Sequence, residues 1–84
     1  MNKIRILFFA LLRDRVGTRV LELDVPEEMT VRALKDKLAS DHPNLKELMK
    51  NVLVSVNQEY ALDETILPQG AEIALFPPVS GGSH

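Results

Sequence analysis

The chain contains no cysteine. It therefore has no disulfide framework, no thiol nucleophile, no thiolate metal ligand and no side chain on which sulfur can be stored. Tryptophan is also absent, and three Phe and one Tyr are the only aromatics, so the core has to be assembled mainly from Leu, Val and Ile. Neither sign of charge dominates. Ten basic and twelve acidic residues are mixed along the sequence for a net charge of −2, which leaves no basic stripe to neutralise a phosphate backbone and argues against nucleic acid as a partner. Long apolar runs are missing too. The longest, Ile6 to Leu12, falls far short of the roughly 20 residues that span a bilayer, and no signal-peptide pattern opens the chain, so the sequence reads as cytoplasmic with no membrane partner. There are no paired carboxylates, metal-spaced histidines or nucleophile motifs, so neither a catalytic residue nor a metal site is assigned. His42 precedes Pro43 and reads as a structural helix-end residue.

What is present is the patterning of one small domain, since 84 residues can close a single core and no second one. Lys3 to Phe9 alternates polar and apolar residues and predicts a first strand with Ile4, Ile6 and Phe8 facing inward. Leu7 and Phe9 then fall on the outer face. Ala10 to Val16 predicts a short helical turn ended by Gly17, and Arg19 to Val25 alternates as a second strand stopped by Pro26. Thr30 is a suitable N-cap for a main helix from about Val31 to Ser40, with Val31, Leu34 and Leu38 at helical spacing. His42-Pro43 ends it, Leu45 to Lys50 adds one turn, and Val52 to Val56 reads as a strand. Asn57-Gln58 suits a turn before an edge strand at Tyr60-Ala61. Leu67-Pro68-Gln69-Gly70 suits another before Ile73 to Phe76, and Pro77-Pro78 closes the sheet.

That order, strand, strand, helix, strand, short strand, strand, predicts an α+β fold of the ubiquitin-like β-grasp kind, with one main helix packed across a mixed sheet. The expected body covers residues 1–78. Residues 79–84, Val79-Ser80-Gly81-Gly82-Ser83-His84, are expected to form a flexible tail, because nothing there can bury apolar surface or cap an element.

Ile6-Leu7-Phe8-Phe9-Ala10, Arg13, Gly17, Val56-Asn57-Gln58 and Phe76-Pro77-Pro78-Val79-Ser80-Gly81-Gly82 occur in the order found in a known family. Over nearly its whole length the chain resembles the small subunit of molybdopterin synthase, and the Phe-Pro-Pro-Val-Ser-Gly-Gly ending is the most specific segment. The resemblance implies that the Gly82 carboxylate is adenylated by a ubiquitin-activating-type adenylyltransferase that uses ATP, then converted to a thiocarboxylate. It further implies that the tail enters the large subunit of a heterotetramer and gives its sulfur to cyclic pyranopterin monophosphate. The chemistry of the residues agrees. A carboxylate is a poor acyl donor until joined to AMP, after which sulfur can displace AMP by acyl substitution. No Gly-rich Lys-Ser/Thr loop is present to hold ATP, so no cofactor is assigned to this chain and activation is left to another protein. Gly81 and Gly82, lacking Cβ, suit a narrow channel, and Pro77-Pro78 favours an extended exit. The six residues from Pro77 to Gly82, with Val79 and Ser80 between, reach at most about 20 Å when extended.

If the strand alternation holds, Leu7, Phe9, Leu53, Ala74 and Phe76 form an exposed apolar patch beside the tail, the mark of a partner site. Arg13, which matches the family's arginine after the first strand, is placed with them as a partner for an acidic group. Other readings share the fold and the Gly-Gly ending: a thiamine-pathway sulfur carrier, a ubiquitin-like protein modifier, or an interaction module whose tail carries no chemistry. One departure is Ser83-His84, which follows where the family ends and ties Gly82 into a peptide bond. We read these two residues as the start of an expression tag, the alternative being a natural extension removed by a protease.

Overall fold

The computed structural model describes residues 1–77, and the tail assigned from the sequence, together with Pro78, lies outside the described residues. Strand β1 (Asn2–Phe8) follows the alternation: Ile4, Ile6 and Phe8 are buried while Lys3 and Arg5 are exposed. Helix α1 (Leu11–Val16) ends at Gly17, whose φ of 88° lets its N–H reach the Arg13 carbonyl, a left-handed cap for which glycine is the residue without steric penalty. Strand β2 (Val20–Val25) returns antiparallel to β1.

Helix α2 (Val31–Asp41) starts where Thr30, in extended conformation, accepts a hydrogen bond from the Ala33 N–H at 3.2 Å. The first helical N–H groups need other acceptors. Here Val31 and Arg32 donate to the carbonyls of Thr65 and Asp63 at 2.9 and 3.0 Å, so the loop before β5 caps the helix. Val31, Leu34 and Leu38 are buried, and Pro43 stops the helix at His42. A 3₁₀ turn (Pro43–Leu45) and helix α3 (Lys46–Met49) lead to β3 (Leu53–Val56), β4 (Glu59–Tyr60) and β5 (Glu72–Phe76). Asn57 and Gln58 both have positive φ, 50° and 73°, as the two-residue loop between β3 and β4 requires.

The five strands lie in the order β2-β1-β5-β3-β4. Among the described strands the central β1–β5 pair is parallel and the other pairings are antiparallel. The inner face of this mixed sheet and α2 enclose an aliphatic core that includes Ile4, Ile6, Val25, Leu34, Leu38, Ile73 and Leu75. The fold and its core therefore agree with the sequence expectation, with α2 one residue longer than the expected Val31–Ser40, the edge strand at Glu59–Tyr60 instead of Tyr60-Ala61, and Ala10 a non-helical cap instead of the first residue of the helical turn.

A buried polar residue was not foreseen. Asn2 is 2% exposed, and its amide donates to the carbonyls of Leu67 and Pro68 at 3.3 and 3.0 Å while its Oδ1 accepts from the Gly70 N–H at 2.8 Å. It ties the first strand to the turn that feeds the last. Losing a partner of buried backbone groups costs roughly 1–3 kcal/mol for each group left unsatisfied. Asn2→Ala should accordingly lower stability by about 2 kcal/mol or more in chemical denaturation, with little change in the slope against denaturant.

The cap on α2 is also charged. Lys35 Nζ lies 2.7 Å from Asp63 Oδ1, and Arg32 reaches Glu64 at 3.1 Å. The hydrogen bond from Lys35, helped by the charges of Lys35 and Arg32 and opposed by desolvation, holds the Asp63 carboxyl below its ordinary pKa. A depressed carboxylate contributes stability that is complete above its unfolded pKa and disappears as pH falls through the folded one. Thermal melts of wild type and Asp63→Asn should therefore differ by a constant amount at neutral pH and converge as the pH drops below about 4. The Asp63 side chain is 40% exposed, which keeps the gap small.

Candidate functional site

Strand register decides which side chains share the outer face of the sheet. In the parallel pair Leu7 stands beside Ala74, and in the β3–β5 pair Leu53 stands beside Phe76 and Ser55 beside Ala74. Phe9, one residue beyond β1, lays its ring on that of Phe76 with centroids 4.8 Å apart and planes 10° from parallel. Leu7, Phe9, Ala74 and Phe76 line one shallow groove, continued on its far side by Ser55, Gln58, Tyr60 and Glu72. Phe9 is 41% and Leu53 39% exposed, so the patch meets solvent as the alternation predicted.

Arg13 and Arg19 border a second groove floored by Leu7, Phe8, Phe9 and Val20. Arg13 approaches Asp14 only at 4.0 Å, with both side chains well exposed, a contact worth little in water. Its guanidinium remains accessible beside Phe9. Leu53 faces a third depression with Tyr60 and Leu62. Among the described patch residues named from sequence, Leu7, Phe9, Ala74 and Phe76 converge, Leu53 adjoins them through Phe76, and Arg13 stands at the rim. Pro77 follows Phe76 directly, whereas Pro78, Val79, Ser80, Gly81 and Gly82 lie outside the described residues.

Sequence reasoning missed Tyr60. It is 81% exposed and pairs with Ser55, which puts it on the wall between the Phe9–Phe76 groove and the Leu53 depression. The signal was its place as the only tyrosine, on an edge strand too short to bury it.

Among the described residues no cluster of three His, Cys, Asp or Glu side chains is placed to hold a metal. The groove is an aromatic stack on an aliphatic floor with polar edges at Ser55, Gln58 and Tyr60 and an acidic one at Glu72, while Arg13 and Arg19 border the neighbouring groove. No helix among the described residues is long and apolar enough to cross a membrane.

A mixed five-stranded sheet crossed by one main helix, with the final strand ending in an exposed apolar face, defines a ubiquitin-like β-grasp protein. The sequence profile of the ThiS family matches residues 6–82, and the chain belongs to that family. It is 35% identical over 80 residues to the molybdopterin synthase sulfur carrier subunit of Arabidopsis thaliana, covering 95% of this chain and 83% of the relative. To the Caenorhabditis elegans protein of the same name it is 36% identical over 84 residues, covering 98% and 100%. Small archaeal modifier protein 1 of Haloferax volcanii superposes with a TM-score of 0.82 at 31% identity, over 94% of this chain and all of the other.

The faces can be separated by substitution. Phe76→Asp places a charge at the solvent-facing end of the sheet and should leave a cooperative thermal transition. Leu34→Asp buries a charge without a partner in a site 1% exposed and should abolish that transition. A Phe76→Asp chain that fails to fold would move Phe76 from the docking face into the core.

Proposed function

We propose that this chain is a sulfur-carrying subunit of molybdopterin synthase. The Gly82 carboxylate is activated as an acyl adenylate by a separate ubiquitin-activating-type adenylyltransferase, which consumes ATP. AMP then leaves as a sulfur nucleophile attacks the carbonyl carbon, giving a thiocarboxylate. The large subunit, the other half of a heterotetramer, takes up the tail and transfers this sulfur to cyclic pyranopterin monophosphate, two transfers completing the dithiolene. The chain itself supplies no catalytic side chain and binds no cofactor, and it works in the cytoplasm.

The observation that carries this reading is the position of Phe76. It is the last residue of β5, it lies in the apolar groove, and Pro77 follows at once. A partner seated on the groove through Phe9, Phe76, Leu7, Leu53 and Ala74, with an acid opposite Arg13, is next to Pro77, five residues before Gly82 in the sequence. Docking and delivery are thus coupled by a few residues. The likeness to the plant and nematode carriers over nearly the full chain supports the same assignment.

The modifier likeness supports a second reading, in which the activated Gly82 is passed to a lysine amine. One experiment separates the two. With activating enzyme, ATP and a sulfur source, a chain ending at Gly82 should gain the mass of an oxygen-to-sulfur exchange, whereas chains ending at His84 or Gly81 should not. Conjugates on lysine without a free thiocarboxylate would favour the modifier. Equal gain by the His84 form would mean that Ser83-His84 are cleaved before activation. Burying a Phe side chain is worth roughly 1.5–3 kcal/mol, so titration of Phe76→Asp with the large subunit should show binding weakened by at least tenfold. Wild-type affinity would remove Phe76 from the interface.

A further inference from the structure

The turn after β1 is strained at a residue that is not glycine. Ala10 has φ 54° and ψ −128°, and the Leu12 N–H donates to the Phe9 carbonyl at 3.1 Å. These are the hydrogen bond and the first central dihedrals of a type II′ turn. Glycine normally fills that place, because a Cβ crowds the backbone at positive φ. Such strain persists only where the surroundings fix the chain on both sides. They do so here. Phe8 is 2% exposed and its N–H bonds the Arg19 carbonyl at 2.8 Å, while Leu12 is fully buried. Phe9, Ala10 and Leu11 must turn the chain between these two anchors, and Phe9 carries the ring stacked on Phe76.

We infer that Ala10 is a positioning residue for the docking face: its strained turn holds Phe9 against Phe76 before any partner arrives. The inference rests on the reading of that face as the large-subunit contact. With the anchors fixed, the Ala10 methyl narrows the accessible well at positive φ, whereas glycine would let the flanking peptide units rotate and the Phe9 ring leave the stack. An anchor already in its bound position loses less freedom on association. Apparent affinity falls in proportion to the binding-competent fraction, so a ring stacked between a third and a tenth of the time binds about threefold to tenfold more weakly. Stability should move differently, since glycine relieves the strain at residue 10.

The test compares wild type with Ala10→Gly, Ala10→D-Ala made by chemical synthesis, and Phe9→Ala. Each is melted, titrated with the cognate large subunit, and examined free in solution by the ring-proton shifts of Phe9 and Phe76. Ala10→Gly should keep or raise the melting temperature, lose the mutual ring-current shifts and bind about threefold to tenfold more weakly. Ala10→D-Ala, which favours positive φ and keeps a methyl, should melt higher, retain those shifts and bind like wild type. If Phe9→Ala loses binding while Ala10→Gly keeps both wild-type shifts and affinity, the positioning role is overturned and the docking face stands. If Phe9→Ala itself binds like wild type, the docking face is refuted and the positioning role with it.

Discussion

The parallel pairing of β1 with β5 is the constraint on which the rest of the molecule depends. It joins the first strand to the last at the centre of the sheet, with Ile6 beside Ile73 and Phe8 beside Leu75. Because the strands are parallel, both run out at the same edge. Phe9 and Phe76 meet there, and the chain passes into Pro77 from the same place. An antiparallel arrangement would have put the two phenylalanines at opposite ends of the sheet. The Asn2 clasp supports this pairing from the other end, by fixing the turn that delivers β5. The apolar face, the step from Phe76 into Pro77 and the strained turn are therefore local results of one long-range contact.

Local patterning made much of this legible. Period-two alternation in β1 gave the correct faces to Ile4, Ile6, Leu7, Phe8 and Phe9, and Thr30 marked the start of α2 by the cap chemistry of its hydroxyl. Gly17 and Asn57 marked reversals through their tolerance of positive φ, whereas Gln58, also at positive φ, is not a residue that usually fills such a place. The patch could be named because its members obey the same alternation on three strands. Asn2, Tyr60 and Ala10 could not be read in this way. The partners of Asn2 are 65 to 68 positions distant, so nothing near it in sequence announces that it is buried. Tyr60 depends on how far its edge strand extends, and Ala10 looks like an ordinary helix former until the two buried neighbours fix the path between them.

In the proposed function the division of labour follows from what the domain lacks. A protein without thiols, clustered ligands or paired acids can still transport a reactive group if the bond is made on its terminal carbon and the making and breaking are left to larger proteins. The body then needs only to be recognised. In the proposed function an apolar face flanked by Arg13 and Arg19 is what a partner would recognise, and the chain is similar both to proteins named as sulfur carriers and to one named as a protein modifier.

The central place of β5 also bears on biosynthesis. Until that strand has been made, the β1–β2 hairpin and the β3–β4 hairpin have no common neighbour, and the sheet exists as two separate ribbons. A nascent or prematurely terminated chain thus presents neither the aromatic stack nor a completed core. Contacts this distant in sequence form late and slowly, and the strand that completes the sheet is the one that carries the tail. Folding status is consequently written into that face: only a chain translated through its final strand offers the groove in which Phe9 stacks on Phe76.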